Sequence, residues 1–305
     1  MLPVTSIKFL GRLRWLILLV PLLLGTSPGE SAPIPVQISI TFIDVGQGDA
    51  TLIRDGAGFD ILVDGGNKSA GDQVINHIQA AGVDDLEIVL ATHADRDHIG
   101  GLITLLESDE IIVESIYYNG YPGETLTWGE FEAAAAADGL LLLPMQYPLG
   151  QAWGGFDVQV LNPPGGLVDP EQNEASVVLL IDYAQISFLL PGDIDSGIEQ
   201  LLPGRASNLQ ADILKVAHHG SKFSSSQAFL EVVQPDQAII SAGLNAYGHP
   251  APETLERLSI VTTNIWRTDM LGTITLTSNG SSYEIYPKIT YLPLLLRLSK
   301  PPISP

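Results

Sequence analysis

Residues 93–98 read His-Ala-Asp-Arg-Asp-His, and they constrain this chain more than any other segment. Two imidazoles and two carboxylates fall within six positions, directly after the apolar run at 86–91 and before Ile99-Gly100-Gly101. A divalent cation needs several nitrogen and oxygen donors that converge without backbone strain. A strand end that feeds a turn supplies this by aiming alternate side chains inward, and the glycine pair lets the next helix pack close behind. A solvated polar loop is the plainer reading, but further donors stand at similar places. Asp64 closes a strand read over 59–63 and precedes Gly65-Gly66. Asp193 follows the strand at 186–190 through Pro191-Gly192. His218 and His219 close the strand at 212–217 and precede Gly220-Ser221. Loops at one edge of layered sheets collect functional side chains. Five of the six histidines (His93, His98, His218, His219 and His249) lie in such loops, whereas His77 falls inside a helical stretch and reads as an ordinary residue.

The segments around these loops predict an α/β domain over residues 36–287. Strands are expected at 36–44, 51–54, 59–64, 86–91 and 110–118, with helices at 72–81, 100–107 and 130–138. The second half repeats the style. It has strands at 156–161, 176–182, 185–190, 212–217 and 237–241, and helices at 194–202, 225–233 and 252–258. A closing hairpin over 273–277 and 283–286 turns at Asn279-Gly280, a favoured two-residue turn pair. Two strand-rich halves with covering helices imply two sheets packed face to face with helices outside.

Composition narrows the function. The formal net charge is −21, from 35 acidic and 14 basic residues. Such a surface repels polyanions at long range and argues against strong nonspecific binding to nucleic acid or anionic lipid. The chain has no cysteine, which removes disulfides and thiolate ligands. At the start, Lys8, Arg12 and Arg14 precede an apolar run from Trp15 to Leu24, then small residues. Export signals carry about 7–15 apolar residues and membrane spans about 20. Residues 1–32 are therefore expected to be an export signal, cleaved between Thr26 and Ala32; an uncleaved membrane anchor is the alternative. Either way the product is exported, free or held at the cell envelope. Residues 288–305 form an apolar, Pro-rich tail.

The order Asp-Gly-Gly, His-x-Asp-x-Asp-His, Gly-Asp, His-His-Gly-Ser resembles the metallo-β-lactamase superfamily. The detail is similar to the extracytoplasmic hydrolase domain of ComEC-type competence proteins. It is carried by residues 42–50, 62–66, 92–101, 173–180, 190–193, 214–221 and 241–250. The resemblance implies an αββα four-layer sandwich and two divalent metal ions, zinc or manganese. It implies His93 and Asp95 on the first ion, Asp97 and His98 on the second, and Asp193 bridging. His218 would complete the second site, with His219 as the alternative. Asp49, Asp64, Asn173 and His219 would surround the ligands; Asp97 and Asp193 would be catalytic; Ser221, Asn245 and His249 would meet the substrate. For His249 a loop-structuring role beside Pro250 is the equal alternative. Asp95 and Asn173 stand where many superfamily members carry histidine, and harder oxygen donors favour manganese or magnesium over zinc. This departure leaves the metal, and the filling of the first site, open.

The expected function is an exported metal-dependent hydrolase with metal-activated water as nucleophile. Phosphodiesters are the favoured substrates: a small diester or a short single-stranded nucleic acid. Hydrolysis of a lactone, thioester or β-lactam on the same fold is the alternative, as is a non-catalytic metal-containing binding protein.

Overall fold

The computed structural model describes residues 37–288. The leader expected over 1–32 and the tail beyond Lys288 lie outside these residues. The first half contains β1 (Ile38–Phe42), β2 (Thr51–Arg54), β3 (Asp60–Val63), α1 (Gly71–Ala80), β4 (Asp85–Leu86), β5 (Ile88–Ala91), α2 (Arg96–Glu107), β6 (Ile112–Val113), β7 (Ile116–Tyr118), α3 (Leu126–Ala137) and β8 (Leu142–Pro144). The second half contains β9 (Leu149–Trp153), β10 (Phe156–Asn162), β11 (Val178–Tyr183), β12 (Ile186–Leu190), α4 (Ser196–Glu199), β13 (Ile213–Lys215), α5 (Gln227–Val233), β14 (Gln237–Ile240), α6 (Pro252–Val261), β15 (Ile265–Arg267), α7 (Thr268–Leu271), β16 (Ile274–Ser278) and β17 (Tyr283–Pro287). Among the described residues no helix is long and apolar enough to cross a membrane.

The strands form an eight-stranded sheet, ordered β17-β16-β1-β2-β3-β5-β7-β8, and a seven-stranded sheet, ordered β15-β14-β13-β12-β11-β10-β9. Successive strand residues face opposite sides of a sheet, and here both sides are apolar. Ile61 and Val63 face the core between the sheets, while Leu62 joins a second core under α1, α2 and α3. Leu179 and Ile181 likewise face inward, while Val178 and Leu180 pack under α5 and α6. A strand apolar on both faces must be covered on both. Three apolar layers between four structural ones follow, and the chain is the helix–sheet–sheet–helix sandwich expected from its sequence.

Several local expectations are corrected. The strand read over 110–118 is two short strands, β6 and β7. The helix read over 194–202 is the single turn α4 followed by a 3-10 turn containing Pro203 and Gly204. Glu199 is buried there and accepts backbone N–H bonds from Ser225 and Ser226. The helix read from 130 starts at Leu126, capped by Thr125, whose hydroxyl accepts from the Trp128 N–H at 3.2 Å. Most relevant to the site, α2 begins at Arg96 rather than 100, so Asp97 and His98 lie in its first turn.

The glycine pair in α2 lets this first turn pack against the backbone that follows β3. A Cβ on Gly101 would meet the Gly65 carbonyl oxygen at 1.9 Å. The two segments are laced by Gly65 N–H to the His98 carbonyl at 2.7 Å and Gly101 N–H to the Gly66 carbonyl at 2.8 Å. Gly101→Ala is expected to destabilise the protein by about 1–3 kcal/mol through overpacking against backbone, despite alanine's better helix propensity. Gly129, inside α3, has open space where its Cβ would go; Gly129→Ala is expected to stabilise by about 1 kcal/mol. Urea unfolding of both variants checks the contrast.

Candidate metal centre

The donors gather where strand ends of both sheets meet. Asp49 lies between β1 and β2, Asp64 directly follows β3, and His93 comes two residues after β5. From the other sheet, Asp193 follows β12, and His218 and His219 follow β13. The last pair occupies a tight 3-10 turn in which both residues are left-handed, at φ 49° and 54°. Left-handed non-glycine residues are uncommon and mark sites where surrounding structure holds them. Here the His218 N–H bonds the Gly192 carbonyl at 3.1 Å, and the Ser221 N–H bonds the His218 carbonyl at 2.8 Å. The kink brings both rings to one carboxylate: Nε2 of His219 lies 3.3 Å, and Nε2 of His218 3.8 Å, from Oδ2 of Asp193.

Hydrogen bonding fixes which ring nitrogen each histidine presents. The Asp64 carboxylate accepts from the Thr92 N–H at 2.8 Å, from the Thr92 hydroxyl at 2.7 Å and from His98 Nδ1 at 2.8 Å. The Thr92 proton is thus spent on Asp64, so its oxygen is left to accept from His93 Nδ1 at 3.1 Å. His219 Nδ1 donates to the Ser241 carbonyl at 3.0 Å. All three imidazoles therefore carry their hydrogen-bonded proton on Nδ1 and turn Nε2 inward, the orientation that outer partners impose on ligating histidines.

What those nitrogens face is the informative part. Nε2 of His93, His98 and His219 and Oδ1 of Asp193 are buried without a hydrogen-bond partner. Buried polar atoms are almost always bonded, and each exception needs a reason. Asp193 Oδ2 lies 3.3 Å from His98 Nε2, and Asp97 Oδ2 lies 3.5 Å from His219 Nε2. Among the described residues, donor atoms of Asp49, His98, Asp193 and His219 all fall within 4.8 Å of one another. A nitrogen-and-oxygen donor set converging in this way fits a divalent cation.

The remaining residues surround this centre. Asp95 caps α2 by position, yet its carboxylate makes no cap bond and stands 3.7 Å from His93 Nε2. Asn173 Nδ2 is 3.5 Å from His218 Nε2. Ser221 is buried, and its hydroxyl accepts from the Phe223 N–H. Asn245 spends its amide inside its own loop, donating to the Gly243 and His249 carbonyls and accepting from the Tyr247 and His249 N–H groups. His249 stands edge-on to His218, ring centres 5.3 Å apart.

Charge is tightly coupled here. Burial opposes ionisation of Asp193, but the charges of His219 and His98 outweigh it and hold the carboxyl well below its ordinary range. Reciprocally, burial disfavours the charged forms of His98 and His219, yet Asp193 above all raises both well above ordinary imidazole. Asp97 resists its own burial through His219 and His98 and is lowered to about 2. His218 is lowered, chiefly by burial.

Two residues not singled out by the sequence reading belong to the arrangement: Thr92, which relays Asp64 to His93, and Lys215. The Lys215 ammonium pairs with the Asp49 carboxylate and lies 4.0 Å from Asp193 Oδ1. Its one signal in sequence is a lone charge inside the apolar strand Ile213-Leu214-Lys215-Val216-Ala217.

Clefts open from the centre on three sides. One of about 610 Å³ includes Gln47, Arg96, Asp97, Asn245 and Tyr247 in its wall. Another of about 430 Å³ includes His218, Lys222, Phe223, Tyr247 and His249. A third of about 510 Å³ includes Asp95, Asn173, Asp193 and His218.

Comparison with known proteins places this geometry. The chain is 32% identical to ComE operon protein 3 of Bacillus subtilis over 81% of its own length and 34% of that protein's. It is 34% identical to Recombination protein 2 of Haemophilus influenzae over 71% of its own length and 26% of that protein's. It thus spans about a third or less of these curated relatives. In structure it is similar to the metallo-beta-lactamase fold protein YhfI from Bacillus subtilis, at TM-score 0.50 and 13% identity, over 75% of this chain and 95% of that one. The model of the metallo-beta-lactamase superfamily matches residues 43–243, about two thirds of the sequence, and the chain belongs to that superfamily.

Proposed function

We propose that this protein is a metal-dependent hydrolase of phosphodiesters, acting on small diesters or short single-stranded nucleic acid, like the hydrolase domain of ComEC-type proteins. The observation that carries the hydrolase reading is the set of three buried, unpartnered imidazole Nε2 atoms, those of His98 and His219 facing Asp193 and that of His93 facing Asp95. His93 with Asp95 would hold one ion, and His98 with Asp97 and His219 the other, with Asp193 between them. His219 is preferred to His218 for the second ion because its Nε2 faces both Asp97 and Asp193. His218 stands beside Asn173, on the side of the first ion.

Bound there, divalent ions supply Lewis acidity and bring the pKa of water down towards about 7. The protein's own groups do the positioning. Asp97, lowered to about 2, is ionised across the neutral range and too weak a base to take a proton from water at that pH. It therefore orients the attacking molecule. Burial favours the neutral form of His218, leaving it a hydrogen-bonding group beside the substrate rather than a competing cation.

Three features support phosphodiesters among possible substrates. The oxygen-rich donors at Asp95 and Asn173 suit manganese, a common partner of phosphate oxygens. Arg96 and Lys222 line clefts on either side and supply local positive charge that the acidic surface lacks. The exposed rings of Phe223 and Tyr247 offer faces on which bases stack. The relative named for recombination points the same way. The start of the sequence supports export, which would place this activity outside the cytoplasm.

The test is a substrate panel. Bis(p-nitrophenyl) phosphate and a short single-stranded oligonucleotide should be hydrolysed with added manganese or zinc, with activity abolished by chelation and restored by metal. Hydrolysis of nitrocefin or a lactone, but not of either phosphodiester, would move the protein to the ester and lactam branch of the fold. Metal binding with no turnover of any substrate would leave a binding protein.

A further inference from the structure

Lys215 has no part in the chemistry outlined above, yet it is the one buried lysine or arginine among the described residues. It ends β13, where Ile213 two positions earlier faces the core between the sheets. By strand alternation Lys215 projects into the same space, at the point where that core runs into the donor cluster. Its ammonium pairs with Asp49 of the opposite sheet. It faces Oδ1 of Asp193, the oxygen turned away from the histidines, at 4.0 Å, while Oδ2 faces His98 and His219. A small space lined by the buried residues Asp49, Thr51, Asp64, Thr92, Leu190 and Lys215 lies behind the cluster. Lys215 therefore sits on the inner side of the centre, opposite the clefts.

An ion pair in an apolar core is dispensable: apolar residues of similar volume often replace it without loss. The surroundings here are different. Asp49, Asp64, Asp95, Asp97 and Asp193 crowd one small volume, and without bound metal their charges repel. Lys215 cannot be displaced by a ligand entering from the clefts.

We infer that Lys215 is a built-in cation that assembles the donor cluster before metal arrives, by clamping Asp49 of one sheet and neutralising the rear oxygen of Asp193 of the other. Lys215 is thus a positioning residue, and this role rests on the reading of the cluster as a metal centre. The protein folds metal-free with its donors already in place, and takes its ions afterwards.

The experiment uses the full chain and manganese chloride as the sole ligand. Thermal unfolding is recorded in chelator and in manganese for wild type, Lys215→Met and Asp49→Asn/Lys215→Met. Wild type should unfold cooperatively in chelator. Lys215→Met should melt lower there by about 10 °C or more, and manganese should raise its midpoint at least twice as far as that of wild type. The double variant, with no stranded charge at position 49, should recover most of the metal-free midpoint. An equal loss for Lys215→Met with and without manganese would reduce Lys215 to packing and overturn the inference, as would no loss in either. If Lys215→Met fails to fold in both conditions, the double variant decides. Its failure to fold, or a manganese shift equal to that of wild type, is equally fatal. Manganese stoichiometry of the wild type is measured separately. Its absence would sink the hydrolase reading, while the chelator melts would still report on the Lys215–Asp49 pair.

Discussion

Asp193→Ala is expected to empty the centre and abolish turnover. Three imidazole nitrogens face this one carboxylate at 3.3–3.8 Å. Neither neighbouring carboxylate can take its place: Asp97 reaches only the His219 side, and Asp49 is paired with Lys215. Without it, metal content should fall below one ion per chain. The ions' stabilisation of the transition state, worth several kcal/mol, should go with them, lowering kcat/KM by about 1000-fold or more. Elemental analysis after gel filtration, with hydrolysis of bis(p-nitrophenyl) phosphate, reads both quantities. Retention of full metal content in a folded variant would remove Asp193 from the ligand set.

The second large effect comes from a residue that touches no inward-facing nitrogen. Asp64→Asn keeps the shape of the side chain but exchanges one acceptor oxygen for a donor. The oxygen that serves the Thr92 N–H has no alternative use, so the amide nitrogen would face the Thr92 hydroxyl and His98 Nδ1. His98 Nδ1 must then accept, and its proton moves to Nε2, the atom the centre needs free. The Thr92 hydroxyl is released from Asp64, and the tautomer of His93 loses its anchor too. Metal affinity should drop by about 10- to 100-fold with the fold retained, as measured by manganese titration. An affinity equal to that of wild type would show that the centre does not depend on which His98 nitrogen is protonated.

Much of this centre was legible in the sequence because its first half is local. His93, Asp95, Asp97 and His98 announce themselves by density, and Asp64 and Asp193 by glycine-flanked strand ends. The start of α2 is hidden because the polar donors at 93–98 read as a loop, although the helix already begins at Arg96; the reason for Gly100 and Gly101 is the backbone packed against them, which pattern cannot display. The choice between His218 and His219 was not readable either. Which of the two rings faces Asp97 follows from two left-handed residues in succession, a conformation that histidine does not advertise. Lys215 is hidden in the sequence for a third reason. Its partner Asp49 is 166 positions away, and no local spacing links a charge in one strand to an acid in a distant turn. The four-layer order was legible from apolar runs on strands and from the motif resemblance. The breaks at β6–β7 and α4 were not, because each depends on what the neighbouring backbone requires.

The centre is built from two stretches of chain far apart in time as well as in sequence. Asp49, Asp64, His93, Asp95, Asp97 and His98 all precede residue 100, while Asn173, Asp193, Lys215, His218 and His219 all follow residue 170. Closing contacts of such separation is intrinsically slow. A chain emerging from its amino end therefore carries half a set of donors, strongly acidic and without its internal lysine, until the second sheet docks. The centre is a keystone, set last, and an ion held there in full coordination marks a chain whose two halves have closed.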